Sequence, residues 1–388
     1  MKTLALIITL LSFIFSFGQQ TGPACITGTT TGPLPFLQYG LGQDRLGAAK
    51  MNYLDTGIVV NVADSVMDFY KIRLSANHDA YLPKSAFLRD SVFRFSHIHN
   101  TSSMKIYGDE KYDYVTLSLN EKLPYKIVQQ INPSRIVVDV YGAVSNTNWI
   151  TQLKTATEIK NVYYEQPEND VFRVIIELHH PQFWGYFVFY NNKSLVVKIK
   201  RQPQKLKIKN LSIAIDAGHG GSNSGAKGIN SGIYEKDYTL LIAKELEKYL
   251  KKKGVNVIMT RNGDEDLTMI DRTLFLRGQE PDLLISIHLN SSSNPGVSGV
   301  STYYRYIGFR PLSMNILDRM LELKLNNFGN VGGFNFSLSG PTEYPNCLVE
   351  VAFLSNAEDE KKILNPSFRK DVAYKIYKGI DDWLQEMK

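Results

Sequence analysis

Four side chains in the C-terminal half of the chain have the types and spacing for hydrolytic metal chemistry. His219 follows the apolar run Ile213-Ala214-Ile215-Asp216 and lies in the glycine loop Gly218-His219-Gly220-Gly221. His288 ends the run Leu283-Leu284-Ile285-Ser286-Ile287, Glu235 opens an amphipathic stretch after the glycine loop, and Glu350 interrupts Leu348-Val349-Glu350-Val351-Ala352-Phe353. Two imidazoles and a carboxylate leave a fourth position open on zinc, which lowers the pKa of bound water to about 7 and polarises a carbonyl. A further carboxylate is then needed to carry the water's proton to the leaving nitrogen. We assign His219, Glu235 and His288 as ligands of one Zn2+ and Glu350 as the acid/base. Glycine around His219 leaves room for metal and substrate to approach the backbone.

Taken singly, three of the four have plainer accounts. His219 suits a turn, Glu235 suits the first turn of a helix, where the macrodipole favours a carboxylate, and His288 suits a hydrogen-bonded core histidine. Glu350 resists such an account, because an ionised carboxylate inside a buried strand is costly unless paired or functional.

The elements that must position these residues begin near residue 208. From there strand-like runs alternate with helical patterns, the signature of an α/β unit on a mostly parallel sheet flanked by helices. Strands are expected at 212–217, 255–260, 283–288, 300–306 and 347–353, with helices at 235–253, 267–279, 311–328 and 366–387. The first helix carries Leu240, Leu241, Ala243, Leu246 and Leu250 toward one face and stops at Gly254. Pro311 and Pro366 suit first-turn positions, where a missing N–H costs nothing. In a parallel sheet, ligands collect at the carboxyl ends of strands, so the four side chains can converge there.

Upstream, the chain reads as β-rich. Lys2, the apolar run from Leu4 to Phe17, and the small residues Ser16 and Gly18 form a signal peptide over 1–18. The run is shorter than the roughly 20 residues that span a bilayer, so export without a transmembrane anchor after cleavage is expected. Residues 19–35, rich in Thr, Gly and Pro, read as a flexible lead-in. Residues 36–95 carry short strand-like runs at 57–62, 69–74 and 80–82, which together resemble a bacterial SH3-like wall-binding module. Residues 105–200 contain an internal echo, Tyr125-Lys126-Ile127 before Arg135–Val140 and Tyr186-Phe187-Val188 before Leu195–Ile199. With Asn132-Pro133-Ser134-Arg135 in its first turn, this region resembles an AMIN domain. The polar linker Arg201-Gln202-Pro203-Gln204 separates it from the α/β unit at 208–388.

In the 388-residue chain, 44 Lys and Arg against 38 Asp and Glu give a net charge of +6, suited to an anionic wall polymer or membrane surface. No basic tract is interleaved with aromatic residues, so no nucleic-acid partner is expected. The two cysteines, Cys25 and Cys347, fall in different units, and unpaired thiols are expected.

The segments Ile215-Asp216-Ala217-Gly218-His219-Gly220-Gly221, Glu235-Lys236-Asp237, Thr260-Arg261, Ser286-Ile287-His288-Leu289-Asn290 and Leu348–Asn356 occur in that order. Together they resemble the zinc-dependent N-acetylmuramoyl-L-alanine amidases of the cell-separation type (amidase family 3). The resemblance implies zinc on His219, Glu235 and His288, a catalytic Glu350, and peptidoglycan as substrate. It further implies hydrolysis of the amide between N-acetylmuramic acid and L-alanine, a periplasmic or cell-envelope location, and envelope or division-site activator proteins as partners. Two features depart from the pattern: 306–347 has no room for a long blocking helix, and the loop Gly332–Ser337 has no basic residue. Rival readings are a zinc deacetylase or carboxypeptidase on wall fragments, and an inactive wall-binding scaffold. His97 and His99 alternate as a strand pair would, but with His179 and His180 they are read as surface histidines.

Overall fold

The computed structural model describes residues 26–42, 46–90 and 98–387; the segment 1–18 read as a signal peptide, Cys25 and His97 lie outside them. Among the described residues no helix is long and apolar enough to cross a membrane.

The first unit is a seven-stranded antiparallel sheet, ordered Lys50–Tyr53, Phe36–Gln38, Asp79–Pro83, Phe69–Arg73, Val59–Val66, Ile26–Thr30 and Phe87–Arg89. Ile26–Thr30 falls in the stretch read as a flexible lead-in. It pairs on both edges, with Val59–Val66 and with Phe87–Arg89. Its threonines and Gly28 carry little periodicity, so the ordering comes from partners distant in sequence, which local pattern does not report.

The second unit packs two sheets. One is ordered Tyr125–Gln130, Arg135–Tyr141, Val171–Leu178 and Ile159–Glu168; the other includes His99–Gly108, Tyr112–Leu119, Ser194–Lys200 and Tyr186–Asn191. The two echoed segments are hairpins, one in each sheet. A single hydrophobic cluster, from Leu37 and Ile72 through Ile136, Phe172 and Ile199, runs through both units. They are thus packed on one another.

In the C-terminal unit six strands, labelled here, surround the candidate site: β1 (Ser212–Ala217), β2 (Asn256–Met259), β3 (Leu283–Asn290), β4 (Val300–Tyr303), β5 (Asn327–Val331) and β6 (Asn346–Phe353). Their order is β2-β1-β3-β6-β4-β5. Pairing is parallel from β2 through β6 and between β4 and β5, and antiparallel between β4 and β6. The helices are α1 (Glu235–Lys252), α2 (Met269–Gln279), α3 (Arg310–Leu321), α4 (Ala357–Leu364) and α5 (Pro366–Glu386). β1, β3 and β6 bury nearly every residue, as central parallel strands covered on both faces must.

Two expected elements differ. The helix expected over 311–328 ends at Leu321, and 327–331 forms strand β5 instead. Lys324 has φ 57°, a left-handed conformation that a helix cannot continue through. The expected strand 300–306 ends at Tyr303, and α4 is an additional helix in a segment assigned to none.

The second and third units meet through tryptophan. Trp184 lies 5.1 Å, centroid to centroid, from Trp383 of α5, whose indole N–H donates to Gln182 at 3.1 Å.

Candidate metal centre

β1 delivers the chain to His219 just past its carboxyl end, and β3 carries His288 to the same end of the sheet. Glu235, the first residue of α1, lies buried between them. One of its oxygens, Oε1, is 3.1 Å from His219 Nε2 and 3.0 Å from His288 Nδ1. The same oxygen accepts from the Leu289 amide at 2.9 Å, and Oε2 accepts from the Ala226 amide at 2.8 Å. One ligand atom from each of the three residues falls within 4.8 Å of the others, so the group could hold a metal ion.

Two local features fit that group. A Cβ on Gly218 would stand 2.5 Å from the His288 ring, and one on Gly225 would stand 2.5 Å from Glu235 Oε2 and 2.7 Å from the His219 ring. The 3.0 and 3.1 Å separations are also close to the edge of a tetrahedron with arms of about 2.0–2.1 Å, which is about 3.3 Å.

Glu350 lies beside His288 across the β3–β6 ladder, on the same side of the sheet, and across from Ser301 of β4. It is partly exposed while its neighbours on β6 are buried. The residue is thus less buried than the apolar run suggested, although its Oε2 atom is itself buried. The side that sequence alternation could not settle is set by strand register.

Electrostatics follow from these contacts. Burial pushes the Glu235 carboxyl up, but hydrogen bonds and positive charge from His219 and His288 outweigh it and hold the group well below the usual range. Burial pulls His288 down, yet its hydrogen bond to Glu235 and the charges of Glu235, Glu350 and Asp216 leave it above its ordinary 6.5.

Beneath the His219 turn lies a buried network that the sequence did not reveal as a unit. Asp216 accepts from Arg272 at 2.7 Å, from Thr260 at 2.8 Å and from Ser286 at 2.7 Å. Burial raises Asp216, but the charges of Arg272 and His288 together with the hydrogen bonds from Ser286 and Arg272 outweigh it and hold the carboxyl below its ordinary value. Arg272 also donates to the Ala217 carbonyl at 2.8 Å and to the His219 carbonyl. Arg261 donates to the carbonyls of Ala217 at 2.9 Å and Gly218 at 3.0 Å. With the Thr239 hydroxyl donating to the Gly218 carbonyl at 2.8 Å, five donor groups fix the turn in which His219 takes φ 63°, a conformation costing a non-glycine residue about 1–2 kcal/mol. The cue for Arg272 was a cation on α2, but charged residues on helices are ordinary, and its direction is fixed only by tertiary packing.

Helix α4 closes the other flank. Glu360, buried at its first turn, accepts from the Asn230 and Ser231 amides at 3.0 Å each, restraining the loop that leads into Glu235. Asp359 accepts from the Gly299 amide at 2.7 Å. Of the surface histidines, His99 meets Asn120 at 3.1 Å and His180 meets Glu158 at 2.8 Å. Among the described residues neither joins a metal-ligating group.

Comparison with known proteins adds an independent line. The family model described as N-acetylmuramoyl-L-alanine amidase matches residues 213–382, and the AMIN domain model matches residues 104–208. The germination-specific N-acetylmuramoyl-L-alanine amidase of Bacillus subtilis is 32% identical over 213 residues, covering 50% of this chain and 86% of that protein. N-acetylmuramoyl-L-alanine amidase AmiC of Neisseria meningitidis is 24% identical over 373 residues, covering 73% of this chain and 89% of the relative. The crystal structure of an N-acetylmuramoyl-L-alanine amidase from Clostridium difficile matches with TM-score 0.44 and 31% identity, over 46% of this chain and 98% of that one.

Proposed function

We propose, from the premise that the chain belongs to the N-acetylmuramoyl-L-alanine amidase family, that it cleaves the amide between N-acetylmuramic acid and L-alanine of peptidoglycan. The observation that carries the reading is the convergence of partly exposed His219 with buried Glu235 and His288 beside Glu350, at the carboxyl end of the central strands. In this reading His219, Glu235 and His288 hold one zinc ion. When bound, zinc supplies a Lewis acid that polarises the scissile carbonyl and acidifies water.

The chain's own groups do the rest. Glu350, partly exposed and on the same side of the sheet as His288, takes the proton of the attacking water and returns it to the alanine nitrogen as the C–N bond breaks. Arg261 and Arg272 hold the His219 turn so that its ring is aimed before substrate arrives. The AMIN match supports an envelope location, with wall remodelling or daughter-cell separation as the setting.

Digestion of purified sacculi, with products read by mass, tests the reaction. An amidase releases intact stem peptides with a free N-terminal alanine. Loss of acetyl groups alone would make the protein a deacetylase, and release of single C-terminal residues would make it a carboxypeptidase.

A further inference from the structure

The loop after β5 has one face on the candidate metal centre and the other on the first unit of the chain. Phe336 is extended, the Phe334 and Phe336 rings stack on one another at 6.2 Å, and Asn335 between them turns to a different partner. On the inner side, the Phe336 ring meets the His288 ring edge-on at 5.4 Å, and Phe334 packs on Tyr303 of β4 at 4.5 Å.

On the outer side, Asn335 uses both ends of its amide on the strand-and-turn segment 46–50. Its Nδ2 donates to the Ala48 carbonyl at 2.7 Å and to the Leu46 carbonyl at 3.3 Å. Its Oδ1 accepts from the Lys50 amide at 3.1 Å, and Arg305 bridges Asn335 to the Lys50 carbonyl. Tyr53, at the end of the strand Lys50–Tyr53, donates to the Ser337 carbonyl at 3.4 Å, and a Cβ on Gly340 would stand 2.8 Å from its ring.

We infer that Asn335 is a positioning residue through which the N-terminal unit sets an aromatic wall, Phe334 and Phe336, against the metal centre. The inference rests on the amidase reading for its substrate. With no cation between Gly332 and Ser337, this wall offers ring faces to the apolar face of a sugar or a small side chain, and no counter-charge for a carboxylate. The first unit thereby belongs to the substrate groove through the residue that anchors the loop. Asn335 itself faces away from the reacting atoms.

The test uses the full-length zinc-loaded protein and its variants Asn335→Ala, the isosteric Asn335→Asp, Phe336→Ala and the double Asn335→Ala/Phe336→Ala. Asn335→Asp keeps the acceptor for Lys50 and loses both donations, so it remains informative if the alanine variant does not fold. Zinc content should be unchanged in all of them. KM for solubilised peptidoglycan should rise about tenfold in Asn335→Ala and in Phe336→Ala, with kcat within about twofold. The double variant should be no worse than the poorer single, because both act through one wall.

Amide hydrogen exchange at 332–337 should also quicken in the Asn335 variants while exchange in β1 and β3 stays as it was. Unchanged exchange at 332–337, or additive KM effects in the double variant, would overturn the inference. If wild type releases no stem peptide, the amidase reading falls, and the exchange measurement still decides the anchoring.

Discussion

The floor and the wall of the candidate site are built by opposite means. Below His219, buried charge does the fixing: two arginines donate to the carbonyls of one turn, and Asp216 holds one of them, all three about 1% exposed. Beside His288, a loop is fixed by neutral amide hydrogen bonds, with Arg305 bridging them, that reach from residues nearly 290 positions away, the Leu46–Asn335 contact being separated by 289. The floor belongs wholly to the α/β unit and is closed to water. The wall is partly exposed and borrows its partner from another unit. A fold that must hold metal ligands within a fraction of an ångström gains from the first arrangement, and one that must admit different wall fragments gains from the second.

Breaking the floor should therefore have the largest effect. Arg272→Met leaves Asp216 buried and unpaired, and should cost about 3–5 kcal/mol in denaturant unfolding. The comparison fails if the variant unfolds like wild type. Next in size, Gly218→Ala places a methyl 2.5 Å from the His288 ring. Displacing the ring should weaken zinc affinity by about 10–100-fold in a chelator competition, the range seen when support for a ligand is lost.

A smaller, pH-dependent effect separates the metal-free from the loaded floor. His288, raised above its ordinary 6.5, contributes stability that is complete below that pH and fades as pH rises through the shifted value. Glu235, lowered from 4.5, contributes stability present above that pH and lost only on strong acidification. Metal-free protein should thus lose Tm on going from pH 6 to pH 8. Zinc binding needs the neutral imidazole, so affinity should instead rise over the same interval. Parallel Tm curves with and without zinc would contradict the assignment of His288 as a ligand.

How legible all this was in the sequence follows the same division. His219, Glu235, His288 and Glu350 were readable because polar side chains interrupt or end apolar runs, and the structure brings the first three together. Strands β1, β3 and β6 were readable because buried parallel strands are continuous apolar runs. Their supports were not readable. Arg272 sits on a half-exposed helix where cations are commonplace, and α4 lies in a short polar segment whose role comes from Glu360 and Asp359 reaching other loops. Strand β5 was hidden in an apparent extension of α3, since Leu321, Leu323 and Leu325 continue the apolar pattern past the point where Lys324 turns the chain. Asn335 had no local signal at all, because its partners belong to the other end of the chain.

The central claim is that three side chains hold one zinc ion and a fourth, Glu350, moves the proton. It is tested most directly by measuring zinc content and stem-peptide release together for wild type and Glu350→Gln. We expect about one zinc per chain in both, with release slowed about 10²–10⁴-fold in the variant, the span of a lost general acid/base. Release at the wild-type rate by a zinc-loaded Glu350→Gln, or full activity in wild type that holds no metal, would contradict it.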